Sequence, residues 1–187
     1  MLKRPWPGQF RTIYNDPDRY VETYFSRYGP ETYLAGDGAK QDDDGYFWLL
    51  GRIDDVMNVA GHRISTYEVE SALVDNERVA EAAVVAKADP GVGQAIVAFV
   101  TLKGGQVGND TVAAELRGHV AKVIGKIARP HRIIFTDDLP KTRSGKIMRR
   151  LLRDVAEGRE LGDVTTLANA EIVDQIREMS SARAEDE

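Results

Sequence analysis

"VAEAAVVAKADPGVGQAIVAFVTLKG", residues 79–104, is the stretch whose reading decides the fold. Two runs rich in Val, Ile and Ala flank Pro90-Gly91, so it reads as two strands joined by a turn. On its N-terminal side, Ser65 and Glu68 have capping-box spacing, and Val69, Ala72 and Leu73 form the apolar stripe of a short helix. On its C-terminal side, Ala113, Leu116, Val120 and Val123 recur at helical spacing and mark a second helix. "HRIIFTDDLP" (131–140) reads as a third strand. "PKTRSGKIMRRLLRD" (140–154) then opens a third helix near Lys146 and continues it through Leu151, Leu152 and Val155. Beyond Gly162, Val173, Ile176 and Met179 suggest a last helix laid on the surface. The expectation is an α+β domain over residues 54–187, with a small three-stranded sheet and packed helices.

Residues 1–53 have a different character. In "DPDRYVETYF", Asp16 suits an N-cap, Pro17 the first helical position, and Tyr20, Tyr24 and Phe25 share a face. "YLAGDGAKQDDDGYFWLLGR" (33–52) reads as a hairpin, with Tyr33–Ala35 and Tyr46–Leu50 as strands and residues 42–45 as the turn. One hairpin and one helix do not close a core. This part is expected to be the end of a larger domain that lies upstream.

Composition excludes several classes. The 187 residues hold 25 Lys and Arg against 30 Asp and Glu, a net charge of −5, which argues against a nucleic-acid binder. No cysteine occurs, which removes disulfides, thiol catalysis and zinc–thiolate sites. His62, His119 and His131 have no metal-ligand spacing. No apolar run reaches membrane-helix length and no signal-peptide pattern opens the chain, so a reducing cytosol is the default and no membrane partner is expected.

The basic stretch 140–154 sets Lys141, Arg143, Lys146, Arg149, Arg150 and Arg153 against a single acid, Asp154. A lysine behind a Ser-Gly hinge and near free helix N–H groups makes a concentrated anion site; a merely solvated helix face is the competing reading. No P-loop pattern occurs, and "GVGQAI" has only two glycines of a dinucleotide fingerprint, so it is better read as a turn. Asp37 sits between glycines at a strand end. Arg52 and Arg63 bracket Asp54-Asp55 and Ala60-Gly61, a pattern that suits either a hinge or an ordinary loop.

Taken together, "GDGA", "DDDGYFWLLGRIDDVMNVAGHRIST", "GQAIVAFVTL" and "DLPKTRSGKIMRRLLRD" resemble the C-terminal part of the AMP-forming acetyl-CoA synthetases. These belong to the adenylate-forming superfamily of acyl-CoA synthetases, luciferases and peptide-synthetase adenylation domains. The resemblance implies a ligase that uses ATP to activate acetate or another short-chain acid as an acyl-adenylate, then transfers the acyl group to coenzyme A. It implies that Asp37 binds the ribose of ATP or AMP, with Arg52 on the nucleotide and Arg63 on phosphate. Asp54 becomes the hinge, and Lys146 holds carboxylate and α-phosphate oxygens. Ala60 and Gly61 line the coenzyme A channel. Lys146 becomes an acetylation target, which brings in a protein acetyltransferase and a deacetylase as partners.

Three positions depart from the family pattern. Ala60 stands where a serine is common, and Ala121 replaces an arginine that helps hold the coenzyme, with Lys122 beside it. Asn76 occupies the place of a histidine that joins the carbonyls of Val74 and Val79 at a family magnesium site. The rival reading is a non-catalytic module that serves as a protein-interaction or lysine-acetylation target.

Overall fold

The computed structural model describes residues 1–161, 164–169 and 171–182. The side chains of Val173 and Met179, and Gly162, lie outside what is described. The chain divides into two compact units, Met1–Asp54 and Asp55–Glu187.

The first unit holds α1 (Pro17–Phe25) and the antiparallel pair β1 (Asp37–Gln41) and β2 (Phe47–Arg52). Asp16 caps α1 by accepting the Arg19 N–H at 3.2 Å, and Pro17 opens the first turn, where its missing N–H costs nothing. Tyr24 stacks on Tyr33 at 4.9 Å, while Phe10 and Trp6 meet the same cluster edge-on. Tyr33 therefore belongs to this aromatic cluster and to an isolated bridge with Leu2, not to a hairpin strand. The first strand starts four residues later than its apolar residues suggest, because ring packing draws Tyr33 out of the ladder.

In the second unit β5 (Val79–Asp89) and β6 (Gly93–Leu102) form the long antiparallel hairpin expected from residues 79–104. β7 (Arg132–Phe135) lies parallel to β6. The sheet has five strands, not three, because β3 (Val56–Val59) and β4 (His62–Ser65) add a second hairpin through β6. Those strands are four residues each, and β4 has only Ile64 as an apolar residue, which is why they pass for a loop.

Alternation along β5 and β6 divides the core in two. Ala82, Val84, Ile96, Ala98 and Val100 meet α2 (Thr66–Asp75) and α3 (Asp110–Val123). Ala83, Val85, Val97 and Phe99 meet α4 (Arg149–Ala156) and α5 (Glu171–Ala182). A sheet covered on both faces needs the near-continuous Val/Ala/Ile run the sequence shows. Ile176 is fully buried and Ile172 nearly so, so α5 completes the second core layer and is not laid on the surface. Val123, at the end of α3, is instead exposed. Ser65 does stand at the N-cap of α2, but no cap hydrogen bond comes from its side chain, so the capping box does not form. No helix among the described residues is long and apolar enough to cross a membrane.

Candidate functional site

In the first unit, β1 begins and β2 ends at one place, with Asp37 and Arg52 as cross-strand partners. Arg52 gathers this corner. Its Nε and one Nη donate to the two Asp54 carboxylate oxygens at 2.9 and 3.3 Å. Its other Nη donates to the Ala35 carbonyl at 3.2 Å and lies 3.6 Å from Asp37 Oδ1. Gly36 makes this possible: φ is +79°, and a Cβ there would sit 2.7 Å from the guanidinium. One planar fork thus links Asp37 to Asp54. Both carboxylates are exposed enough to meet a ligand.

In the second unit, Ala60 and Gly61 form the two-residue turn between β3 and β4, with φ of +49° and +83°. Positive φ at both central residues is the geometry of a tight hairpin turn matched to strand twist. Alanine tolerates it poorly, at a cost of about 1 kcal/mol. Arg63 follows on β4, exposed and paired across the strand with Asn58.

Lys146 lies in a locked turn, not at a helix start, since α4 begins only at Arg149. The Thr142 N–H donates to the Lys146 carbonyl and the Gly145 N–H to the Thr142 carbonyl, both at 2.8 Å. The Lys146 N–H donates to Thr142 Oγ1 at 3.1 Å, and Gly145 has φ of +79°. The base of the turn is held by Lys141, whose ammonium is 2.7 Å from Glu81 Oε2 and 2.9 Å from Asp138 Oδ1. Asn169 accepts the Lys141 N–H at 3.1 Å and donates to Asp138 at 2.8 Å. Hydrogen bonding to Glu81, then to Asp138, pushes the Lys141 ammonium above its ordinary range. Burial opposes ionisation of Asp138, yet bonds from Lys141, the Leu139 N–H and Asn169 outweigh it and hold that carboxyl low.

The basic stretch is therefore mostly structural. Besides Lys141, Arg149 turns inward and gives a bidentate pair to buried Glu70 at 3.0 and 2.7 Å, not to the solvated face. Glu70 also accepts the Val84 N–H at 2.8 Å, so both of its carboxylate oxygens are bonded. Arg153 approaches Asp55 at 3.9 Å. Lys146 is exposed where the turn closes against Thr142, and among the described residues it forms no ion pair. Glu70 and Asn169 carry no local sequence signal, because their partners lie 14 to 79 residues away, and Lys141, though Asp138 is close in sequence, meets Glu81 only through folding.

The magnesium set fits poorly. Asn76 Oδ1 accepts the Arg78 N–H at 3.1 Å, and the Asn76 carbonyl accepts the Val79 N–H at 3.0 Å. Two carbonyls and one occupied amide offer no anionic oxygen to a hard dication. Among the described residues no cluster of three His, Asp or Glu residues could hold a metal. Ala121 is half-buried on α3 and brings no cation.

Residues 68–146 match the AMP-binding enzyme C-terminal domain. The acetyl-coenzyme A synthetase of Rubrobacter xylanophilus is 61% identical over 97% of the chain, and that of Streptomyces coelicolor is 58% identical over 100% of the chain. The chain spans only 28% and 29% of those relatives. Among solved structures, the ATP-bound RpMatB-BxBclM chimera B1 superposes with a TM-score of 0.72 at 29% identity, covering 82% of this chain and 30% of that one. Residues 68–146 thus belong to the AMP-binding enzyme C-terminal domain family, and the chain is similar along its length to part of the acetyl-coenzyme A synthetases.

Proposed function

We propose that this chain is the C-terminal portion of an AMP-forming acetyl-CoA, or short-chain acyl-CoA, synthetase. In the first half-reaction a carboxylate oxygen attacks the α-phosphorus of ATP and pyrophosphate leaves. In the second, the thiol of coenzyme A attacks the acyl carbonyl carbon and AMP leaves. Lys146 supplies a mobile cation to the carboxylate and α-phosphate oxygens, where positioned charge offsets what develops in the transition state. Asp37 and Arg52 hold the nucleotide, Arg63 meets its phosphates, and the Ala60-Gly61 turn lines the coenzyme channel. Magnesium enters as the counter-ion of ATP and not as a ligand of Val74, Asn76 and Val79.

In this reading residues 1–53 end a large adenylation domain and residues 54–187 form a domain that swings about Asp54 between the half-reactions. The setting is the cytoplasm, and Lys146 is open to an acetyltransferase and a deacetylase. The observation that carries the reading is the Lys146 turn: Lys141 and Arg149 on either side are tied down by ion pairs, and Lys146 itself is exposed where the turn closes. Mixing the chain with the separately expressed remainder of such an enzyme tests it. Restored acetate- and ATP-dependent pyrophosphate release supports the ligase; silence despite complex formation supports a non-catalytic module.

A further inference from the structure

The Lys146 turn is the closed end of a small hairpin. Its arms pair through the bridge of Lys141 with Ile147, and the Met148 N–H donates to the Pro140 carbonyl at 2.8 Å. An isolated two-stranded hairpin is marginal in water, so something must hold its outer edge. The C-terminal segment, residues 164–169, supplies that edge. Leu167 bridges to Thr142, and the Ala168 N–H donates to the Lys141 carbonyl at 2.9 Å. The Lys141 N–H goes to Asn169 Oδ1, so both main-chain polar groups of Lys141 are taken by this segment.

Asn169 is the centre of the contact. Besides accepting from Lys141 at 3.1 Å, its amide donates to Asp138 Oδ2 at 2.8 Å and to the Leu139 carbonyl at 2.9 Å. One half-buried side chain thereby ties down residues 138, 139 and 141 of the arm that closes on Lys146. The segment is itself anchored. The Ile172 N–H donates to the Asn169 carbonyl at 3.2 Å, and Ile172 and Ile176 of α5 are buried in the second core layer.

We propose that Asn169 is a positioning residue for Lys146: by fixing the arm 138–142 it sets where the lysine stands, so that, resting on the ligase reading, adenylate formation depends on the C-terminal segment and the thiol step does not. A displacement of about 1 Å in a positioned group is enough to cost up to about a hundredfold in rate. A segment that merely closes the core would instead weaken both half-reactions together.

The test is made in the full-length enzyme. Asn169→Leu should lower kcat for ATP–pyrophosphate exchange by roughly tenfold to a hundredfold, with the KM for ATP and acetate little changed. Thioester formation from supplied acyl-adenylate should stay near wild type. Asn169→Asp sets a second carboxylate against Asp138 and should lose as much. Asp138→Asn/Asn169→Asp exchanges donor and acceptor across the same bond and should recover most of the rate. Leu116→Ala, which loosens the other core layer, should leave the ratio of the two half-reactions unchanged. Wild-type exchange in Asn169→Leu overturns the proposal, as do equal losses in both half-reactions, a swapped pair no better than Asn169→Asp, or the same altered ratio in Leu116→Ala. A wild-type enzyme without exchange activity would remove the ligase reading. Amide protection in the chain then decides the positioning: Asn169→Leu should lower it about tenfold or more at Thr142 and Lys146 and spare β5, and unchanged protection there overturns it.

Discussion

Gly36 has no side chain, and the Arg52 guanidinium occupies the space where one would be. Gly36→Ala must displace the fork and hold alanine at a φ of +79°, a strain of about 1–2 kcal/mol. We expect it to weaken nucleotide affinity severalfold in the full-length enzyme, measured by calorimetry, with the second unit's melting unchanged. Glu70 is the other decisive residue. Glu70→Ala leaves the Arg149 charge half-buried without its partner and the Val84 N–H unmatched, and should cost about 3–5 kcal/mol in denaturant unfolding. Glu70→Leu with Arg149→Met should recover most of that loss; failure to do so would contradict the account of the pair. Neither role was legible beforehand. Asp37 and Arg52 stood out by pattern, but the glycine that lets them meet and the acid that anchors α4 depend on chain segments brought together only by folding.

The segment 137–148 is the element that presents Lys146, and its order depends on charge. The Asp138 carboxyl is depressed in the fold, so its contribution is present above the ordinary carboxylate value and is lost as pH falls through the folded value. Lys141 is raised, so its contribution holds below its ordinary value and fades as pH rises through the folded one. Protection factors for hydrogen exchange at the amides of 141–148, which remove the intrinsic pH dependence of exchange, should therefore fall below about pH 4 and above about pH 10, and stay flat between. Lys141→Met should remove the alkaline limb and only weaken the acid one, because the Leu139 N–H and Asn169 still hold the Asp138 carboxylate; an alkaline limb that persists would show another group at work. The β5–β6 hairpin was plain from its apolar runs and its Pro-Gly turn. The Lys146 turn was mistaken for a helix start because basic and apolar positions in 146–155 already follow a helical period, while Thr142 closes the turn with bonds that only geometry reveals.

At the scale of the molecule, β2 leaves Phe47, Trp48 and Leu49 between 61 and 71% exposed. A contiguous apolar run of this kind marks a surface that another body covers. The chain alone is expected to bind a hydrophobic dye and self-associate, and Phe47→Ser/Leu49→Ser should reduce both without altering the core melt of the second unit. The mixed architecture was legible because two-faced burial dictates long Val/Ala/Ile strands; the extra hairpin was not, since its residues alternate too briefly to register. The central claim rests on Lys146, and separate assay of the two half-reactions tests it most directly. In the full-length enzyme, Lys146→Gln should lower ATP–pyrophosphate exchange by roughly a hundredfold or more, while thioester formation from supplied acyl-adenylate remains measurable. Exchange at the wild-type rate in Lys146→Gln would contradict the account.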